Sequence, residues 1–192
     1  RHLESEETRR KSILESVQGE KASRLIRFIE GLGVHYGFEQ SFKLLPGTLL
    51  ANRFLAGFNK ASVQQGLIEK LSAVCRAIDM PESQLGDLIR GLPEANIILF
   101  GYEAGEKGSV YKAYLEFGHE FERRLRDPRS SPSPFLIHRG YKWDASDNTR
   151  HTTAFYTCHP HMTAEQILRR LSASFYGGHQ TGPLEIVRGM VE

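Results

Sequence analysis

The spacing of hydrophobic positions along the chain changes at Asn96, from a helical period to an extended one. Before Asn96, apolar residues recur three and four positions apart, which places them on one face of a helix. The helices predicted are residues 4–32, a run that begins at Pro46 and carries Leu50, Phe54 and Phe58, residues 63–78, and residues 81–91. Ser62 and Gln65 fit a capping box before the third of these. Residues 34–45 fit an edge strand and a loop equally well.

After Asn96, apolar and polar residues alternate as they do in strands. Residues 97–102 are apolar in both alternating sets, which is typical of a central strand. A turn at residues 105–108 joins them to the segment SVYKAYLEF, and a second hairpin joins residues 134–143 to 151–158. Thr163 and Gln166 fit a capping box of a helix that ends at Gly177 and Gly178, and residues 184–191 fit a strand or a helix.

Helices followed by two hairpins predict an α+β fold, with an antiparallel β-sheet of four to six strands covered by helices. We expect one domain over residues 1–192, with a helical part at about 1–93 and a two-hairpin sheet part at about 94–192. Between the hairpins, residues 118–134 are rich in arginine and end in serine and proline. This composition predicts a short helix followed by a disordered loop.

The amino-acid composition excludes some classes of protein but does not identify the function. The 192 residues are 40% hydrophobic and 25% charged, which is ordinary for a folded domain and excludes a disordered tail. No apolar run approaches the roughly 18 residues of a membrane helix, and the first residues lack the apolar core of a secretory signal. The net charge of +2 does not demand binding to nucleic acid or to a membrane. Cys75 and Cys158 form no disulfide framework, so we expect a cytoplasmic protein in which these two thiols are not bonded to each other.

Motifs of the common nucleotide-binding, zinc-protease and serine-hydrolase sites are missing from the sequence. One group, His151, Cys158, His159 and His161, contains the ligand types that zinc or copper prefers. In a regular strand, however, His151 and Cys158 point to opposite faces. We therefore expect no metal and no cofactor. The arginines of residues 123–129 also lack the interleaved aromatic residues of a nucleic-acid platform.

The candidate site comes from polar residues that alternate along two strands. The two sets are Lys112, Tyr114 and Glu116 in SVYKAYLEF, and Arg139, Tyr141 and Trp143 in the second hairpin. We expect the cations and phenols of both sets to share one face of the sheet. There, lysine and arginine would neutralise phosphate oxygens while tyrosine donates a hydrogen bond. The alternative is an ordinary solvent-facing side of an antiparallel sheet.

These segments resemble the αββα, or ABBA, aromatic prenyltransferases, including their indole and cyanobactin-peptide branches. The matching pieces are VYKAYLEF with its Lys112-x-Tyr114 spacing, the hairpin-then-helix order and, more loosely, the segment ANRFLAGF, predicted as a helix. The resemblance covers about residues 52–176 and implies a barrel of antiparallel strands ringed by helices, which in that family closes with about ten strands. It implies that Lys112 binds an allylic diphosphate and that Tyr114 shields the allylic cation. Similar roles follow for Arg139, Tyr141 and Tyr156.

The predicted function is therefore the binding of an anionic small-molecule ligand, in particular a prenyl diphosphate, and the reaction implied is prenyl transfer to an aromatic acceptor. The predicted binding residues are Lys112, Tyr114, Glu116, Arg139, Tyr141 and Tyr156. No catalytic residue is assigned, and Glu103 and Glu116 are the strand carboxylates available as acid or base. Two other classes stay open: a small-molecule-binding protein without chemistry, and a non-catalytic protein-interaction module.

Overall fold

The computed structural model describes residue 8 and residues 12–13, 15–45, 47–105, 108–126, 133–174 and 181–191. In this part of the chain, six antiparallel strands form one sheet in which each strand pairs with its sequence neighbours. The strands are β1 (Gly37–Leu45), β2 (Thr48–Asn59), β3 (Ile97–Gly105), β4 (Gly108–Glu116), β5 (Phe135–Asp144) and β6 (His151–Cys158). The sheet does not close into a barrel. The predicted α+β class and antiparallel sheet are confirmed.

Helices precede, separate and follow the hairpins. Residues 8, 12–13 and 15–16 are helical. They are followed by α1 (Glu20–Gly31), α2 (Leu67–Ala77), α3 (Glu82–Gly91), α4 (Gly118–Arg126), α5 (Ala164–Ser174) and α6 (Thr181–Val191). None of these helices is both long enough and apolar enough to cross a membrane. Residues 184–191, for which the sequence left a strand and a helix open, belong to helix α6.

The hydrophobic core lies between one face of the sheet and helices α1, α2 and α3. Each central strand contributes alternate buried residues to it: Phe54, Ala56 and Phe58 from β2, Ile98, Phe100 and Tyr102 from β3, Tyr111, Ala113 and Leu115 from β4, and Tyr141 and Trp143 from β5. Trp143 also donates a hydrogen bond from Nε1 to the carbonyl of Ile78, at 2.8 Å. We call the opposite side, formed by the intervening residues of each strand, the open face.

Strand β2 lies where the sequence predicted a helix. Strand β1 agrees with the strand alternative for residues 34–45, but the helix after Pro46 is wrong, and with it the helical reading of ANRFLAGF. A spacing of four, as in Leu50, Phe54 and Phe58, suits one face of a helix and one face of a strand alike. The boundary between a helical part at 1–93 and a sheet part at 94–192 is wrong for the same reason.

One of the two predicted capping boxes is confirmed. The amide N–H of Gln166 donates to Thr163 Oγ1 at 3.3 Å, and the amide N–H of Thr163 donates to Gln166 Oε1 at 2.8 Å. The box at Ser62 and Gln65 is wrong, because Ser62 Oγ instead donates to the Asn59 carbonyl in a short 3₁₀ turn. Helix α2 begins only after Gly66, whose left-handed backbone favours glycine.

Some predictions fall on segments beyond the described residues. They are the first residues of the predicted helix 4–32, the disordered loop expected after α4, and the stop at Gly177 and Gly178. Within the described residues, one continuous helix over 4–32 is wrong, because the helix is interrupted at residues 17–19, where Gly19 has a φ of 89°. Within the described residues, Cys75 is buried on α2 and Cys158 ends β6, and both are free thiols, as predicted.

Candidate functional site

The open face brings together four of the six predicted binding residues. Lys112, Tyr114 and Glu116 alternate along β4, and they lie opposite Lys142, Gly140 and His138 of β5. Tyr156 of β6 lies opposite His138, so it belongs to the same face. Residues directly opposite each other in an antiparallel pair point to the same side of the sheet. The strand pairings therefore place these four residues on one face, and their role in binding stays a prediction.

Arg139 and Tyr141 lie on the other face, so the prediction that they join this group is wrong. Arg139 pairs with Leu115 and Tyr141 with Ala113, both of which are core residues of β4. Tyr141 is fully buried, and its hydroxyl donates to Asp87 Oδ2 on α3 at 2.9 Å. Arg139 Nη1 lies 3.4 Å from the same carboxylate oxygen. Both residues attach α3 to the sheet.

Three cations gather at one end of the open face around the carboxylate of Glu103. Lys43 Nζ lies 3.6 Å from Oε1, Arg53 Nε lies 3.5 Å from Oε2, and Lys112 Nζ contacts Oε2. Lys142 lies directly opposite Lys112 on the next strand. We call Lys43, Arg53, Lys112 and Lys142 the cation cluster. Like charges at opposite positions destabilise a sheet, so a further anion here would relieve their repulsion.

Burial strengthens the contact between Lys112 and Glu103. The Lys112 side chain is 5% exposed, and loss of hydration lowers its pKa, against which Glu103 acts. Burial acts to raise the pKa of the Glu103 carboxyl, but the hydrogen bond and charge of Lys112, with Lys43 and Arg53, hold it below its ordinary value. Charge-assisted hydrogen bonds that are shielded from water are stronger than surface ion pairs. Glu103 is thus the counter-ion of the Lys43, Arg53 and Lys112 side chains.

A hollow of about 230 Å³ adjoins the cation cluster on the open face. Its lining residues are Arg53, Leu55, Leu99, Tyr114, His138 and Tyr156. Glycines make room for two of these side chains, because a Cβ on Gly140 would lie 2.7 Å from the Tyr114 ring and a Cβ on Gly101 would lie 2.6 Å from Leu55 Cδ2. The side chains of Tyr114 and Leu55 therefore reach over glycines of neighbouring strands. The hollow is apolar and aromatic, with cations at one end.

Two phenol rings form one wall of this hollow. The ring centroids of Tyr114 and Tyr156 are 6.1 Å apart, at an interplanar angle of 58°. Burial raises the pKa of the Tyr114 hydroxyl, and the neighbouring Tyr156 adds to the effect, so Tyr114 stays a neutral phenol near neutral pH. Faces of neutral aromatic rings attract a nearby cation.

An imidazole and a carboxylate form a pair at the far end of the hollow. His138 Nε2 lies 2.8 Å from Glu116 Oε2, and the His138 ring meets Tyr156 edge to face with centroids 6.1 Å apart. Because a carboxylate only accepts hydrogen bonds, Nε2 donates in this contact, and in a neutral imidazole Nδ1 is then the acceptor. An imidazole oriented in this way can take a proton from a bound molecule. Glu116 thus orients His138.

The histidines and cysteine considered as metal ligands are spread along β6 and beyond it. His151 pairs with Trp143 at one end of the strand, and Cys158 pairs with Phe135 at the other. His159 Nδ1 lies 3.1 Å from Nη1 of Arg170. Over the described ranges, no three His, Cys, Asp or Glu side chains are grouped so that they could hold a metal ion.

Four residues of the open face were missed by sequence reasoning: Lys43, Arg53, His138 and Lys142. His138 and Lys142 alternate along β5 with Arg139, Tyr141 and Trp143. The alternation was visible in the sequence, but the residues that face the core were predicted to face the ligand. Arg53 lies in ANRFLAGF, where the helical interpretation hid its strand position. Lys43 follows a register irregularity between β1 and β2, which no sequence pattern indicates.

Comparison with known proteins adds no assignment to this geometry. No protein-family model matches the chain, and searches of curated proteins and of solved structures find no match. The likeness to the ABBA prenyltransferases stays a prediction, and the open face itself is the basis for a functional argument.

Proposed function

We propose that the open face binds a prenyl diphosphate and positions it for transfer to an aromatic acceptor. The observation that carries this proposal is that the cation cluster adjoins an apolar, aromatic hollow on the same sheet face. The diphosphate would bind to the cation cluster, and the prenyl chain would lie in the hollow. Arg53 joins the two, because it belongs to the cation cluster and also lines the hollow. The hollow is smaller than the about 300–1,000 Å³ of typical ligand pockets, so it suits a short chain.

The order of elements supports the same ligand class. Three hairpins alternate with helices, α1 before β1–β2, α2 and α3 before β3–β4, and α4 before β5–β6, as the resemblance to the αββα family implies. The polar strand residues named for that family, Lys112 and Tyr114, lie on the face away from the core helices. This sheet has six strands and is open, so binding is proposed on an open face and not inside a closed barrel.

The proposed reaction begins when the bond between C1 of the prenyl chain and the diphosphate oxygen breaks, and the bonding electron pair leaves with the diphosphate. The cation cluster neutralises the charge that this oxygen gains. The faces of Tyr114 and Tyr156 stabilise the allylic cation. A π-electron pair of the acceptor ring forms the new bond to C1, and the proton that the ring then loses passes to Nδ1 of His138, which Glu116 holds in place.

Calorimetric titration with dimethylallyl and geranyl diphosphate tests the binding. The variant Lys112→Met keeps the length of the side chain and removes its charge, so it should weaken diphosphate binding roughly ten- to hundredfold, the scale of one charge-assisted contact. Lys70→Met, at an exposed position of α2, is the matched control and should bind as the wild type does. Dimethylallyl alcohol and geraniol, which lack the diphosphate, should give no saturable heat at the same concentrations.

The outcomes of this titration separate the function classes. Saturable binding that depends on Lys112 and on the diphosphate group supports the proposal. Absence of saturable heat with both diphosphates in the wild type refutes it and leaves the interaction module. Binding without any transfer to an indole acceptor would favour a binding protein without chemistry.

One observation favours the interaction module as the second candidate. Three large apolar side chains are exposed at one end of the β1–β2 hairpin: Phe42 at 64%, Leu44 at 70% and Leu49 at 59%. Exposed apolar groups of this kind on an edge strand are typical of surfaces that contact another chain. This candidate predicts that substitution of Phe42 and Leu44 by serine changes association with a partner and leaves diphosphate titrations unchanged.

A further inference from the structure

Both oxygens of the Glu103 carboxylate are engaged by the cation cluster. Oε2 contacts Lys112 Nζ and lies 3.5 Å from Arg53 Nε, while Oε1 lies 3.6 Å from Lys43 Nζ. These cations come from β1, β2 and β4, and Glu103 lies on β3 between them. The carboxylate therefore stands where the three cations converge, which is the place that a bound anion would take.

Access to Lys112 also depends on Glu103. The Lys112 side chain is 5% exposed and the Glu103 side chain is 15% exposed. A ligand that arrives from solvent meets the carboxylate at the point where the buried ammonium group makes its contact. To pair with Lys112, the ligand must move Glu103 aside and leave no uncompensated buried charge behind, because such a charge is costly.

We propose that Glu103 is a resident counter-ion that competes with the ligand and sets the charge a ligand must carry. The inference rests on the proposed function and names its ligand class, which is groups with two or more negative charges. A singly charged anion would only replace the charge of Glu103 with another single charge. It gains no extra attraction to offset the freedom of motion that it loses on binding. A diphosphate brings further charges and oxygens, which reach Lys43, Arg53 and Lys142 as well as Lys112.

This role predicts the opposite sign from an ordinary binding residue. Glu103→Gln removes the competing charge and keeps the size of the side chain, so it should tighten anion binding. We expect the Kd of inorganic pyrophosphate to fall about tenfold or more, the scale of one charge-assisted contact. Dimethyl phosphate, which carries a single charge, should give no saturable binding to the wild type and measurable binding to Glu103→Gln.

The experiment is calorimetry of the whole chain with pyrophosphate and dimethyl phosphate at neutral pH. Glu82→Gln is the matched control, since Glu82 is 69% exposed and pairs with Arg76 on the helical side, and it should leave both titrations unchanged. Fluorescence of Trp143, the only tryptophan, checks that each variant is folded. Should Glu103→Gln fail to fold, Glu103→Asp keeps the charge but shortens its reach to Lys112, and it should tighten pyrophosphate binding by a smaller factor.

The possible failures can be told apart. If Glu103→Gln weakens pyrophosphate binding or leaves it unchanged while Lys112→Met weakens it as expected, the counter-ion role is overturned and the proposed function stands. The same holds if Glu103→Asp, used as the fallback, weakens binding. Without pyrophosphate binding in the wild type and in every variant, both proposals fall.

Discussion

Lys112 and Lys142 are directly opposite each other on β4 and β5, so two ammonium groups share one row of the open face. Such a pair costs stability in the free protein, and the Glu103 carboxylate offsets part of that cost from β3. Pairs of opposite charge across strands are favourable, whereas like charges directly opposite each other are not. The ligand proposed for the open face would offset the remaining repulsion with its negative charge.

Removal of one of these charges should separate stability from binding. We expect Lys142→Gln to stabilise the free protein by about 0.5 kcal/mol, because repulsion across the strands is lost. The same variant should weaken pyrophosphate binding several-fold. Urea denaturation and calorimetry on one preparation measure both quantities. A variant that is less stable and binds equally well would contradict the role of Lys142 in the cation cluster.

Tyr141 should matter for stability and not for the ligand. Tyr141→Phe removes the hydroxyl that donates to Asp87, a contact between β5 and α3. We expect a loss of about 1 kcal/mol in the free energy of unfolding, as for one buried hydrogen bond, with unchanged diphosphate affinity. Lys112→Met, measured in parallel, should lower the affinity. Loss of binding in folded Tyr141→Phe would place Tyr141 at the site after all.

The facing of Arg139 and Tyr141 shows which part of the site a sequence can predict. Alternation correctly grouped Lys112 with Tyr114 along one strand, because side chains of a strand have a period of two. Which of the two sets of β5 faces the core depends on its register with β4, and that is a tertiary property. Trp143 indicates the correct facing, because a large aromatic residue in the set Arg139, Tyr141 and Trp143 favours the buried side of the sheet.

The β1–β2 hairpin illustrates a second limit. The spacing of Leu50, Phe54 and Phe58 is shared by helices and strands, and Arg53 gained its place in the cation cluster only through the pairing with Glu103 on β3. In contrast, the sequence predicted the strands after Asn96, because the local alternation of apolar and polar residues determines them. It also predicted the capping box at Thr163, because that box consists of local hydrogen bonds.

Gly140 should control the shape of the hollow. A Cβ at this position would come within 2.7 Å of the Tyr114 ring, so Gly140→Ala forces that ring away from the β5 backbone. We expect weaker binding of geranyl diphosphate with little change for pyrophosphate, which does not use the hollow. Gly31→Ala, where an added methyl group meets nothing within 4 Å, is the control. Equal losses for both ligands would mean that the substitution disturbs the sheet as a whole.

The pH dependence of stability should report on Glu103. Burial acts to raise the pKa of this carboxyl, yet Lys112, Lys43 and Arg53 lower it below the ordinary value of 4.5. A carboxyl with a lowered pKa in the folded state contributes stability that is fully present above the unfolded pKa and is lost as the pH falls through the folded pKa. At neutral pH we expect the free energy of unfolding of the wild type to be higher than that of Glu103→Gln by on the order of 1–3 kcal/mol.

That difference should stay constant down to about pH 5 and shrink as the pH falls further below 4.5. Urea denaturation of both proteins over this range measures it, and subtraction removes the other carboxyls, which titrate alike in the two chains. A difference that is the same at pH 3 and at pH 7 would show that the charge of Glu103 contributes nothing.

The most direct test of the proposed function is a crystal structure of the chain with geranyl S-thiolodiphosphate, an analogue that resists cleavage. We expect the diphosphate at the cation cluster, in ion-pair contact with Arg53 and Lys112, with Glu103 displaced and the geranyl chain between Leu55, Leu99 and Tyr114. A ligand bound elsewhere, or an open face that stays empty at saturating concentration, would contradict the account.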